Sequence, residues 1–426
     1  MKKIINIFAI IAICCLSNTI SMNLKKMKQP SNEDVAPIVI NIESGLVYAG
    51  LAGDDAPKAV FPTIVGRPKP KSVKAGWVKE NDVFIGDKAI SKKYKYMLNL
   101  KSTAKRGLIT EWEDLKELIH HIYYIELKVA PEEHNVLMTI SPNTPQKDKE
   151  RVLKILFETF KVPKAYIMDK LELSLYASGS KTGTVLHIEE GVMYAFSFKD
   201  DKAIQESIIT AEVGGNDLTE YLTKILNERG YSFNTNDHKA IVKGIKYKLG
   251  YVARDYEAEI KTGESSSTIE KSYELPDGQV VTVGNERFKV GEALFQPKLM
   301  GKDIKGIHEM INDSIQKSPE SIRGELYSRI IVSGDTMFPG IQERLQKEIS
   351  ALANGAKVKV FAYPERKNFP WLGGSMLTTF TNFEYYWITP SDYKAKGISA
   401  IIPQASNLDI KILKEEIEQN KRKKIE

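Results

Sequence analysis

The chain is predicted to be an α/β protein. Two observations carry this. Short apolar segments with strand-like alternation recur between longer segments whose apolar residues fall at helical spacing, and 426 residues suffice for two or three layered domains. The stretch "IVINIESGLVYAGLAGDDAPKAVFP", Ile38 to Pro62, opens the series with two alternating halves around a tight turn at Ser44-Gly45. Such a turn aims successive backbone N–H groups at a phosphate. Glu43 is out of place there, because its charge opposes a phosphate's.

Taken in order, the elements begin with an apolar run. Lys2 and Lys3 precede "IINIFAIIAICCL", and "SNTIS" follows, so residues 1–21 read as a secretory signal peptide. The competing reading is an N-terminal extension with Met22 or Met27 as the working start. The run is too short to span a bilayer comfortably. It holds both cysteines, Cys14 and Cys15, so a chain processed after it has no disulfide and no thiolate metal site. Residues 22–35 form a polar leader. "HNVLMTIS" reads as a strand and "GTVLHIEEGVMYAFSF" as a hairpin. "EDLKELIHHIYYIEL", "QKDKERVLKILFETF" and "NDLTEYLTKILNERG" read as amphipathic helices. "KTGESSSTIEKSYELPDGQVVTVGNERF" reads as a flexible Gly/Ser loop followed by a hairpin turning at Asp277-Gly278. A helix enters through Pro339-Gly340, and the tail "NLDIKILKEEIEQNKRKKIE" reads as an amphipathic helix.

Composition excludes some functions. The 61 basic and 55 acidic residues leave a net charge of +6, too dilute to argue for nucleic acid, and no binding motif supports it. Beyond the N-terminal run, no segment reads as transmembrane. The six histidines include no H-x-x-x-H spacing, and no Ser/His/Asp set can be assembled.

The phrases "AGLAGDDAPKAVFPTIVGRPK", "LFETF", "LSLYASG", "DLTEYLTKILNERGYSF", "SYELPDGQV", "GNERF", "EALFQP", "PERK" and "WLGGS" resemble actin, in actin's order, from about Ala36 to Ile402. The resemblance implies an actin-type fold: two related α/β domains, four subdomains in all, around a central nucleotide cleft. It divides residues 36–402 into subdomain 1 (about 36–62, 101–177 and 369–402), subdomain 2 (63–100), subdomain 3 (178–213 and 305–368) and subdomain 4 (214–304). Residues 403–426 are then an added C-terminal helix. The resemblance also implies that ATP or ADP with Mg sits between the domains.

This sequence departs from the family at the phosphate turns. Ser44 and Gly45 match, but Asn41 stands where the family has a metal-organising Asp, Glu43 where it has a glycine, and Tyr48 where it has a phosphate-binding lysine. In the opposing turn Gly191 matches, His187 replaces a second metal-organising Asp, and Glu189 replaces a glycine, while Glu190 keeps an acid. Lys170 and Tyr194 occupy positions where the family has a glutamine and a histidine near the attacking water. No catalytic or metal set is therefore intact. Two unit charges at ~4 Å repel by about 4 kcal/mol at an effective dielectric near 20, roughly a thousandfold in affinity. Nucleotide binding is thus expected to be weak, and hydrolysis is not expected. Lys170 is expected to supply positive charge to the cleft or to pair with Glu43 or Glu189. The adenosine side is better kept, at Gly215, Asp217, Lys246, Gly334, Met337 and Lys367, the last expected to stack along adenine.

The resemblance implies a second site, a partner groove lined by Tyr176, Ala177, Gly179, Met376, Leu377 and Phe380, which would take a partner helix. The loop "PKPKSVKAGWVKENDVF" matches the family's inter-subunit loop, with Lys69, Lys71, Lys74 and Lys79 making it basic and Trp77 offering a large apolar tip. The leading expectation is an actin-like cytoskeletal or scaffold protein with a degraded ATP site, working through protein contacts with itself or with actin. The alternatives are a filament-forming ATPase and a secreted or lumenal binding protein. Location follows the choice: cytoskeletal by family, secretory if the signal is real.

Overall fold

The computed structural model describes residues 35–335 and 337–397. Two sheets of like topology organise it. The first runs in the order Ala165–Asp169, Val136–Ile140, Ile38–Ile42, Leu46–Leu51, Ala59–Pro62. The second runs Val360–Phe361, Ile330–Gly334, Gly183–Ile188, Met193–Lys199, Lys202–Ala203, with Ile209–Ala211 also pairing with Met193–Lys199. In each, a central strand pairs antiparallel with the next in sequence and parallel with a later one. The same order occurring twice sets the two hairpin turns, residues 43–45 and 189–192, at equivalent positions. The site is built there.

The strand Ile38–Ile42 is apolar on both faces for a reason. Ile38, Ile40 and Ile42 enter one core with Val47 and Met138, while Val39 enters another with Tyr48, Leu137 and Trp371. A strand covered on both sides reads as a continuous apolar run. Each sheet's last strand in sequence leads towards a helix, Lys170–Ala177 after the first sheet and Phe369–Thr378 after the second, the latter packing back on the first sheet through Trp371 and Leu377. Asp169 caps the former, its carboxylate accepting from the Leu171 N–H at 2.7 Å. The two helices pack against each other, and Gly373 permits the approach. A Cβ there would lie 1.9 Å from the Leu173 carbonyl oxygen.

Each domain carries a smaller lobe. One is the sheet of Phe84–Ile85, Ile64–Pro68 and Leu98–Ser102. The other holds the helices Gly215–Glu228, Asn236–Leu249, Tyr256–Ser265 and Glu286–Glu292 with the hairpin Lys271–Glu274 and Val280–Val283. The hairpin turns through Gly278, at φ +84°. The Gly/Ser loop expected before it is corrected: Lys261–Ser265 belong to the helix Tyr256–Ser265. Asp255 accepts from the Ala258 N–H at 3.1 Å, and Glu257 and Glu259 fill the first turn, so capping outweighs the cost of Gly263. The segment likened to the family's inter-subunit loop likewise contains a short helix, Pro70–Lys74, started by Pro70.

The lobes meet across the cleft mouth, where the Lys95 ammonium pairs with Asp237 and the Tyr96 hydroxyl donates to Asp237 at 2.6 Å. Among the described residues no helix is long and apolar enough to cross a membrane. The apolar run at 1–21 and the extension at 403–426 lie outside the described residues.

Candidate functional site

The site lies where the two turns face each other, and its centre is the Glu189 carboxylate. Glu189 is wholly buried. Its Oε1 accepts from Lys170 Nζ at 2.8 Å, and its Oε2 accepts from both the Ser44 N–H at 3.1 Å and the Ser44 hydroxyl at 3.0 Å. A side chain of one domain thus takes the backbone donor of the other domain's turn. Lys170 arrives at the first position of the helix Lys170–Ala177, set by the Asp169 cap, and also donates to the Ile42 carbonyl at 3.4 Å. Burial alone would raise the Glu189 carboxyl. The adjacent Lys170 charge, with His187 helping, reverses this and holds it well below the usual carboxylate range.

Glu43 sits beside this pair. Asn41 Nδ2 donates to its Oε1 at 3.0 Å, and the Thr139 hydroxyl fixes Asn41 by donating to Oδ1 at 2.6 Å. Burial pushes Glu43 up to about 7, opposed in part by His187. His187 is fully buried, with Nδ1 3.0 Å from the Ser333 hydroxyl and Nε2 3.7 Å from both Glu43 Oε1 and Glu189 Oε1. Ser174 completes this polar string at 2.9 Å from Ser333.

Glu190 fills the space over Gly45, where an added Cβ would come within 2.2 Å of the Glu190 carboxyl carbon. Lys243 pairs with that carboxylate. Gly191 follows with no crowding, its nearest neighbour being Arg106 at 3.8 Å from an added Cβ. Tyr194 is buried, its phenol pushed up by burial, against the backbone at Arg106 and Gly107. Tyr48 is buried, its phenol also pushed up by burial and by Glu43.

The adenosine-side residues come together, each already engaged. Lys246 Nζ donates to the Gly215 carbonyl at 2.6 Å, and burial lowers it to about 8. Asp217 closes the start of the helix Gly215–Glu228, accepting from the Gly214 N–H at 2.9 Å, and pairs with Lys302 at 2.9 Å. Asp335 accepts from the Tyr247 hydroxyl and lies 3.7 Å from Lys367. Lys367 Nζ stands 5.2 Å from the Tyr247 ring centre. Gly334 has φ +82°, and an added Cβ would meet the Ile188 carbonyl at 2.3 Å. Met337 is half-buried nearby.

At the implied groove, Tyr176, Ala177 and Met376 are half-buried, while Gly179 and Phe380 are exposed. Leu377 does not line it in the same way, because it packs into the core with Val39, Tyr48 and Leu137. Sequence reasoning missed Lys243, Thr139 and Ser333 as partners. Lys243 was findable, lying one helical turn before Lys246 on the same face.

Two α/β domains of like topology meet at a turn-to-turn contact, which defines a class of paired two-domain fold. The family model for actin matches residues 32–405, and the chain belongs to the actin family.

Proposed function

We propose that this actin-family protein is a nucleotide-independent scaffold, its domains held together by its own side chains, and that it acts through protein contacts. The observation that carries this is the Glu189 carboxylate on the Ser44 N–H and hydroxyl, in the position the family gives to a nucleotide phosphate. A triphosphate does not fit these donors. It would have to displace Glu189 from Ser44 and Glu190 from above Gly45, and would stand beside Glu43. Mg²⁺ prefers hard anionic oxygen, yet Asn41 is committed to Thr139 and Glu43, and His187 to Ser333. The pairings Lys170–Glu189, Lys243–Glu190 and Lys367–Asp335 neutralise the cleft from within.

Contact with partners is supported at the implied groove, where Phe380 is 59% exposed and Tyr176 and Met376 are half-buried. A second copy or actin itself is the expected occupant. Purified protein incubated with labelled ATP and Mg²⁺ and then desalted should retain no stoichiometric nucleotide, and sedimentation alone or with actin should not depend on ATP. Tight Mg²⁺-dependent retention, with phosphate release on assembly, would establish the ATPase reading instead.

A further inference from the structure

Residues 63–100 hold nine lysines and arginines against three acids, six net positive charges, equal to the excess of the whole chain. The rest of the protein balances 52 against 52. The fold concentrates this charge further. The strand Ile64–Pro68 pairs antiparallel with Phe84–Ile85 and with Leu98–Ser102, and Pro68 faces Leu98. Segments 69–83 and 91–97 therefore leave the sheet at one end. The other end is tied to the large domain, Thr63 N–H to the Gly45 carbonyl and Thr103 N–H to Thr63. That end touches the other lobe through Lys95 and Tyr96 on Asp237. It also carries Lys71, Lys74, Lys79, Lys92 and Lys93, all exposed, none of them within ion-pair distance of a carboxylate among the described residues. Trp77 stands between them, 65% exposed, just after Gly76 at φ +74°, where an added Cβ would meet open space. Trp371 and Trp387, by contrast, are buried.

We propose that this lobe tip docks on an anionic membrane surface, with Trp77 entering the headgroup layer and the five lysines facing the lipid phosphates and carboxylates. Unpaired lysines near such a surface are each attracted substantially, and tryptophan favours the boundary between headgroups and acyl chains. Lysine ammonium groups are point charges without arginine's fork, so the tip attracts charge without demanding a fixed geometry. A fluid array of headgroups meets that condition better than the set carboxylates of a folded acidic partner. A projecting apolar apex between cations completes the fit.

Full-length protein titrated with vesicles of phosphatidylcholine, with and without phosphatidylserine, tests this. The apolar N-terminal run and basic C-terminus are common to all variants, so the readout is the phosphatidylserine-dependent part of binding. The triple variant Lys71→Gln, Lys74→Gln, Lys79→Gln should lose about a hundredfold of it, roughly fivefold per lysine. The equally charged control Lys298→Gln, Lys317→Gln, Lys357→Gln should lose less than a few fold. Anionic vesicles should blue-shift tryptophan emission, and Trp77→Phe should abolish the shift while the protein stays folded. Equal losses in the two triple variants would overturn the proposal. So would a blue shift that survives in Trp77→Phe, or soluble polyglutamate binding as tightly as the anionic vesicles.

Discussion

Lys170 Nζ lies 2.8 Å from Glu189 Oε1, and both side chains are removed from water, at 1% and 0% exposure. The pair spans the join between the domains, since Lys170 begins the helix leaving the first sheet and Glu189 sits in the hairpin turn of the second. Because Glu189 also binds Ser44, one ion pair couples the two turns and the connecting helix.

Removing one partner should cost far more than removing both. Lys170→Met leaves a buried carboxylate without its cation, a loss of about 3–5 kcal/mol. Adding Glu189→Gln should recover much of that, because an amide still serves Ser44. The sign with pH follows from the depressed Glu189 carboxyl. Its stabilisation is present above the unfolded value of 4.5 and disappears as pH falls through the lower folded value. Urea unfolding of the two single variants and the double, at pH 7 and at pH 3, checks this. Additive losses at pH 7 would show that the two groups act independently.

Glu43 runs the other way. Burial lifts it from 4.5 to about 7, so the folded state binds its proton more tightly than the unfolded chain does. The associated stability is complete below pH 4.5 and is lost as pH rises through 7. The shift corresponds to about 3 kcal/mol. Glu43→Gln should therefore match the parent near pH 4 and exceed it at pH 8 by up to that amount, while keeping the Asn41 hydrogen bond through its amide oxygen. Thermal melts at the two pH values measure it. A parallel offset at both would locate the effect elsewhere.

Much of this was legible in the chain. The strand Ile38–Ile42 and the hairpin Gly183–Lys199 announce themselves by apolar alternation, and the unexpected Glu43, Glu189 and Lys170 stand out against actin's pattern. Lys170 was expected to meet one of the two acids, and the acid it meets is Glu189. What local sequence could not give was the cross-domain geometry. That Glu189 rather than Glu43 reaches Ser44, or that Glu190 lies over Gly45, depends on how two turns 145 residues apart are brought together. The helix Tyr256–Ser265 was hidden for a different reason. Gly263 and the serines argue for a loop, and the Asp255 cap that decides the matter is visible only once its hydrogen bond is made.

A second buried pair provides a comparison away from the cleft. Arg344 holds Glu292 with two parallel bonds, Nη1 to Oε2 at 2.7 Å and Nη2 to Oε1 at 2.9 Å, and adds Nη1 to the Ala253 carbonyl at 3.0 Å. It joins the helix Ile341–Leu352 to the small lobe. Glu292→Ala should destabilise by about 3–5 kcal/mol, and Arg344→Lys should not replace it, because lysine lacks the two-pronged fork. Chemical denaturation of both variants decides between this and a merely tolerated pair. In neither variant should the behaviour towards nucleotide change.

The cleft itself can be asked to bind again. If Glu189, Lys170 and Glu43 are what keep a triphosphate out, replacing them together should let one in. Glu189→Gly frees the Ser44 N–H and hydroxyl, Lys170→Gln avoids stranding a buried cation, and Glu43→Gly removes the remaining charge in the first turn. A full like charge at ~4 Å is worth about 4 kcal/mol at an effective dielectric near 20, roughly a thousandfold. Glu43 is only partly ionised at neutral pH, and losing the Lys170 cation offsets losing Glu189, so the return is well below that. Glu190 remains above Gly45 and Tyr48 still stands in place of a cation, which lowers the return. An increase of at least tenfold in ATP affinity is expected for the triple variant by equilibrium dialysis, with adenosine affinity unchanged, because the change is confined to the phosphate end. If adenosine and ATP gained equally, the effect would lie in opening the cleft rather than in charge. If neither gained, the three side chains would not be what excludes the nucleotide.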